Sequence, residues 1–402
     1  MKPRDGAAIL ALALAALAGA DARAGEPAAR EGPLQPYQMV RSLELVQDRI
    51  AGGDHAALPM QKKLLELIDA RFRGADSREF AERRNFDALM VYAMSGGNPE
   101  TVAASLEGLS LGEVDRAATE GVLNYLDGDV AEARRAMASV EPTVHAQDVA
   151  AFLALVKGSV VAGDDVASGL AMLDRARLLA PGTLVEEAAL RRTLALAVPA
   201  GDVERFTRAA EQYSRRFLRS PYAAQFAEAF VAGILTLRDR IDLARVEQAV
   251  SWMTPEQART VYLRLARRAA IDGDTVMLDF ASRRATVEAD TVSDASDARS
   301  ELYASISSVT SDSVDAVLDR LIEMDASKLS SADRALLEAA RTVATEVVAP
   351  VNLPMNAHAG PPATESVPAG DDAAGPGTID PLVTSARARL EEIDRLLEES
   401  KP

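Results

Sequence analysis

Beyond about residue 120 the chain is broken by glycine–acid pairs at a nearly constant interval, and that interval restricts the fold more than any other feature. Asp127-Gly128-Asp129, Gly163-Asp164, Gly201-Asp202 and Asp272-Gly273-Asp274 lie 35, 38 and 72 residues apart counted between glycines, and 72 is twice 36. A second series, Glu141-Pro142, Ala180-Pro181-Gly182, Ser220-Pro221 and Thr254-Pro255, falls out of phase with the first. Each unit of roughly 34 to 40 residues therefore reads as helix, tight turn, helix, proline-marked turn. Neither helix of such a pair can bury its apolar face alone, so each pair must stack on the one before and the one after.

The residues between the breaks carry the helical period. Val149, Phe152, Leu153, Val156 and Val160 precede the Gly163 turn; Val203, Phe206, Ala210, Tyr213 and Phe217 follow Gly201; Tyr222, Phe226, Phe230 and Ile234 follow Pro221. Ser220-Pro221 and Thr254-Pro255-Glu256-Gln257 read as helix starts, the latter with the Thr-to-Gln spacing of a capping box. Aromatics are only 4% of the chain, and no segment after the first residues alternates β-branched with polar side chains, so strands are not expected. Val149 to Pro181 resembles a degenerate tetratricopeptide repeat: Gly163 sits at the internal turn, Leu170, Leu173 and Ala176 line the second helix, and Pro181 closes it, but the aromatic at the start of the first helix is missing. The expected fold is all-α, a tetratricopeptide-like right-handed α-solenoid of helix pairs over residues 36–348.

Upstream of the repeats, Tyr37, Val40, Leu43, Val46 and Ile50, then Met60, Leu64, Ile68 and Phe72, mark two helices parted by Gly52-Gly53-Asp54. Phe86, Leu89, Met90 and Ala93 mark a third, which Gly96-Gly97 stops; Asn98 then caps the next helix and Pro99 starts it. Past Thr275 the period loosens, with stripes at Val314, Val317 and Leu321 and at Leu336, Ala340, Val343 and Val347. The two ends read differently. Lys2 and Arg4, the apolar run Ala7 to Ala18, and Ala18-Gly19-Ala20 or Ala22-Arg23-Ala24 make the three parts of a secretory signal, so residues 1–24 are expected to be removed near Ala20 or Ala24 and the mature chain to be exported and not inserted in the membrane. Residues 25–35 are a Gly/Pro/Ala spacer. Residues 349–381, rich in Pro, Ala, Gly and Asp, read as a flexible tether. In residues 382–402, Leu382, Ala386, Leu390, Ile393 and Leu397 fall on one side of a last amphipathic helix. Such a helix is marginal alone in water, so Leu390, Ile393 and Leu397 are expected to pack on the array, on a second copy or on a partner.

Chemistry is hard to find. A net charge of −17 argues against nucleic acid or anionic lipid as the partner and suits a basic or well-solvated protein surface. There is no cysteine, hence no disulfide, thiol nucleophile or thiolate metal site. His55, His145 and His358 show no paired spacing and read as solvated. No phosphate loop, nucleophile elbow or zinc-protease motif occurs, and acidic pairs such as Glu186-Glu187, Asp164-Asp165 and Glu391-Glu392 are expected by number alone. Soluble lytic transglycosylases are also exported solenoids, but their lysozyme-like domain has no room here. No enzyme activity and no cofactor are expected.

Pro36-Tyr37-Gln38-Met39-Val40-Arg41-Ser42-Leu43, Val46-Gln47-Asp48, Gly53-Asp54-His55, and Arg84-Asn85 through Tyr92-Ala93-Met94-Ser95-Gly96-Gly97-Asn98-Pro99 resemble the MotC family of periplasmic motility proteins of rhizobial-type flagellar motors. The resemblance covers residues 36–102 at the level of motifs. It implies a periplasmic protein that associates with the periplasmic part of the stator protein MotB and is required for flagellar rotation and chemotaxis, and it brings no catalytic residues. Gly96, Gly97, Asn98 and Pro99 are candidate partner contacts, although a helix C-cap followed by an N-cap accounts for them unaided. The alternative reading is a general periplasmic scaffold for envelope or cell-division assembly. The oligomeric state is not legible.

Overall fold

The computed structural model describes residues 34–289, 297–307 and 314–348, and among these it holds seventeen α-helices and no strand. The leader, the tether and the expected last helix lie outside the described residues. The helices are α1 (Pro36–Ala51), α2 (Ala57–Arg73), α3 (Arg83–Met94), α4 (Pro99–Leu106), α5 (Glu113–Leu126), α6 (Val130–Ala138), α7 (Gln147–Val161), α8 (Val166–Leu179), α9 (Leu184–Ala200), α10 (Val203–Arg216), α11 (Ala223–Thr236), α12 (Leu243–Val250), α13 (Pro255–Asp272), α14 (Thr275–Ala289), α15 (Asp297–Ser307), α16 (Val314–Glu323) and α17 (Ser331–Val348).

The glycine–acid turns do what their chemistry dictates. Gly128, Gly201 and Gly273 take positive φ at the end of one helix. The acid that follows turns its carboxylate onto the first turn of the next: Asp129 accepts from Glu132 N, Asp202 from Arg205 N and Asp274 from Met277 N. The Gly163 turn departs from the expected form. Asp165 caps α8 by accepting from Ser168 N, while Asp164 pairs with Arg134 at 2.5 Å. Thr254 and Gln257 form the expected capping box, but α11 begins at Ala223, two residues after Pro221, with Ser220 Oγ accepting from Tyr222 N.

The pairs α5–α6, α7–α8, α9–α10 and α13–α14 pack internally, and each odd-numbered helix from α5 to α15 also packs on the next odd-numbered one, making the continuous layer of an α-solenoid. In the α7–α8 pair the approach is close enough to require glycine. A Cβ on Gly169 would lie 2.6 Å from the Ala162 Cβ, below any tolerable contact.

The first hairpin packs as a first rung, α1 on α3 and α2 on α4, and it also makes contacts beyond its neighbours. α1 packs on α3, α3 on α7, α7 on α9, and α9 back on α1, closing four helices around one another. The apolar stripe of α1 is thereby divided among three cores. Val40 and Leu43 join Phe86 and Leu89; Val46 and Ile50 meet Leu184 and Tyr222; Ala51 enters the core that otherwise runs from Leu190 to Ala344. At the tip of the hairpin the His55 ring Nε2 lies 2.9 Å from the Arg219 carbonyl oxygen. Met60, expected on an apolar face, is 45% exposed.

Ile50 is fully buried near the end of α1, where the hairpin meets Leu184 at the start of α9. Ile50→Ala is expected to destabilise the protein by about 2–5 kcal/mol. Hydrogen exchange should quicken in α2 and at the start of α9 together, and faster exchange confined to α1 would contradict the bridging role.

Candidate partner-binding surfaces

The Gly96–Pro99 turn is built inward. Gly96, at φ 93°, stands exposed with nothing near its missing Cβ, whereas Gly97 is buried, and a Cβ there would fall 2.6 Å from the Tyr92 ring. Gly97 N donates to Tyr92 O at 3.0 Å and Asn98 N to the Tyr92 hydroxyl at 3.0 Å, while Asn98 Oδ1 accepts from Glu100 N as the cap of α4. The Tyr92 hydroxyl donates in turn to Asp69 at 3.0 Å, and Asp69 also holds Thr101 Oγ1 at 2.6 Å and Arg73 at 2.8 Å. Burial, the largest cause, pushes the Tyr92 pKa up to about 12, so the hydroxyl keeps the proton it donates. Gly97, Asn98 and Pro99 thus serve the joint between α2, α3 and α4, and only Gly96 offers open surface. Leu390, Ile393 and Leu397 lie outside the described residues.

The same device recurs twice further along, and the sequence reading missed it. Tyr213 donates to Glu187 at 2.7 Å with Arg191 on the same carboxylate oxygen at 2.8 Å; Tyr303 donates to Asp333 at 2.7 Å with Arg267 at 3.3 Å. Glu187 is fully buried and Asp333 nearly so, and burial raises both tyrosine pKa values far beyond the ordinary range. Glu186, dismissed with Glu187 as one of many acids, takes Arg216 at 2.7 and 2.8 Å through both of its oxygens. The partners lie some 20 to 30 residues apart in the chain, and only a tyrosine at a stripe position facing an acid in the neighbouring helix could have signalled them.

The most unusual electrostatics lie in the seam where α1 crosses α7 and α9. A cavity of about 230 Å³ is lined there by Arg41, Glu44 and Asp48 of α1, Asp148 and Phe152 of α7, and Leu184 of α9. Burial, followed by the charges of Asp148 and Asp48 and offset by Arg41, pushes the Glu44 pKa up from 4.5 to about 7. Burial and Asp148 also raise Asp48. Leu45, 60% exposed, borders the same seam, which therefore presents an apolar edge beside carboxylates that ionise reluctantly.

One histidine differs from its solvated reading. The His145 side chain is 2% exposed, with Nδ1 3.6 Å from Asp115, and burial lowers its pKa so that it stays neutral in the fold. The stability this neutral ring requires is present above the ordinary histidine value and lost as pH falls below it. His55 is exposed but seated on the Arg219 carbonyl, and His358 lies outside the described residues. Among the described residues no helix is long and apolar enough to cross a membrane.

A family model described as chemotaxis protein MotC matches residues 1–402. The chain is also similar to the chemotaxis protein MotC of Rhizobium meliloti (strain 1021), with 35% identity over 399 residues, covering 90% of this chain and 92% of that protein. No solved structure matches it.

Two substitutions test these sites. Tyr213→Phe leaves buried Glu187 short of a donor and is expected to cost about 1–3 kcal/mol in denaturant unfolding. For Glu44 the raised folded pKa means that its contribution to stability is fully present below pH 4.5 and is lost as pH rises through about 7. Glu44→Gln should therefore raise the thermal midpoint by ~2 °C or more at pH 8 and leave it nearly unchanged at pH 4.5. Equal shifts at the two pH values would refute the assignment.

Proposed function

Because the chain belongs to the chemotaxis protein MotC family over its whole length, we propose that it is a non-enzymatic, exported component of the flagellar motor that holds the periplasmic part of the stator protein MotB and is needed for flagellar rotation. The family match carries this reading. The leader read in residues 1–24 supports export to the periplasm, and the absence of a membrane-length helix among the described residues is compatible with it. The fold suits a brace. α1 ties the first half of the array to its middle, and a stiffened array presents a fixed surface at small entropic cost on binding. The net charge of −17 favours a basic or well-solvated protein face as partner over nucleic acid.

Deleting the gene should leave cells with flagella that do not turn, and restoring the full chain should restore swimming. Normal swimming of the deletion strain would reject the role, and loss of the filaments would move it to assembly. In a pull-down from envelope extracts the tagged chain should retain MotB; recovery of division or envelope-assembly proteins in its place would favour a general periplasmic scaffold.

A further inference from the structure

The joint between α11 and α13 is open along its length. A cavity of about 260 Å³ lies between their first halves and one of about 500 Å³ between their second halves, and Arg264 lines both, so the two make one groove along parallel helices. Its floor is small and apolar. Ala227, Val231 and Leu235 are half-buried, Ala224 and Ala232 are exposed, and Glu228 is the one charge in all of α11. Arg238, Arg264 and Arg268 gather at the second half, and Glu256 stands at the first. Arg268 and Arg238 have Asp272 and Asp274 as partners, but among the described residues neither Arg264 nor Glu228 is in an ion pair. A groove about 20 Å long with an apolar floor and an uncompensated arginine at its middle has the form that receives an amphipathic helix.

We propose that this groove is the docking site of the chain's own residues 382–397, laid parallel to α11 and α13. The stripe Leu382, Ala386, Leu390, Ile393 and Leu397 would cover the alanine-rich floor, and as a helix this segment is ~24 Å long, the length of the groove. The charges fix the direction. Arg387 and Arg389 flank the first half of the stripe, and Glu391, Glu392, Asp394 and Glu398 outnumber Arg395 in the second, so the parallel orientation sets arginines near Glu256 and a net negative segment near Arg264, Arg268 and Arg238, whose end of the groove also carries Glu228 and Asp272. The antiparallel orientation would oppose like charges at both ends. The connection is long enough. α17 follows α15 and α15 follows α13 in the layer, a separation of roughly 20 Å at ordinary helix spacing. Residues 349–381 can reach at most about 110 Å when fully extended, which covers that separation together with the ~25 Å return along α17 to the start of the groove. This docking stands independently of the motility reading.

The chain has no cysteine, so paired cysteines introduced into the full-length protein report proximity without background. Ala232→Cys with Ile393→Cys should give an intramolecular disulfide under mild oxidation, at a yield several-fold above that of Ala224→Cys with Ile393→Cys and of Val144→Cys with Ile393→Cys. Ala224, Ala232 and Val144 are all exposed, so these changes spare the core. Adding Arg264→Glu to the first pair should lower its yield several-fold. A yield for the first pair no higher than for the Val144 pair would overturn the proposal, as would disulfide-linked dimers as the main product, which would assign the groove to a second copy.

Discussion

One helix holds together parts of the molecule that its neighbours in sequence do not reach. The stripe of α1 is divided among three cores, with Val40 and Leu43 in the first, Val46 and Ile50 in the second and Ala51 in the third. A repeat array sealed only by successive pairs is quasi-one-dimensional, and each joint bends independently. The ring of α1, α3, α7 and α9 removes that freedom from the first half by supplying contacts between elements more than a hundred residues apart. From α9 onward the array returns to nearest-neighbour packing, so the protein combines a braced half with a more open one.

The parts of the fold legible in the sequence are those decided within a few residues. Asp129 and Asp202 cap because a short carboxylate placed just before a helix reaches the orphan N–H groups of its first turn, and the preceding Gly128 and Gly201 accept the positive φ that turns the chain. Even there one step of local geometry escaped notice: at Gly163 the cap passes to Asp165, which frees Asp164 for Arg134. The stripe of α1 was equally legible, but the same residues would serve a first rung or a crossing helix. Sequence period names the buried face and leaves its partner open. The tyrosine–carboxylate locks were hidden for the same reason, since Asp69 and Tyr92, or Glu187 and Tyr213, meet only once distant helices pack. His145 followed suit: nothing near it in sequence announces that Asp115 and Arg83 lie beside it.

Of the candidate contacts in the sequence, the Gly96–Pro99 turn shows how a distinctive motif is explained by its own architecture. The Tyr92 hydroxyl both receives Asn98 N and donates to Asp69, and this network requires a tyrosine on one helix, an acid on another and a backbone able to pass close to the ring at Gly97. A Cβ at Gly97 would meet the Tyr92 ring, so the joint accounts for this glycine whatever the surface beside it binds. The acidic seam under α1 has the opposite character. Burial and the nearby Asp148 and Asp48 oppose the ionisation of its Glu44.

The locks also decide where the chain's charge resides. In each, burial keeps the tyrosine protonated, and the acid beneath it is held by that hydroxyl and an arginine, so the joints carry paired charge and little reactivity. The excess of acids must then lie on the outer surface, where it keeps a long array soluble and repels other acidic faces. In the α11–α13 groove Arg238, Arg264 and Arg268 gather at one end over an apolar floor, with Glu228 and Asp272 beside them. A cleft with an apolar floor and arginines gathered at one end selects a partner by charge and by shape together, and an amphipathic segment with carboxylates beside its stripe meets both requirements.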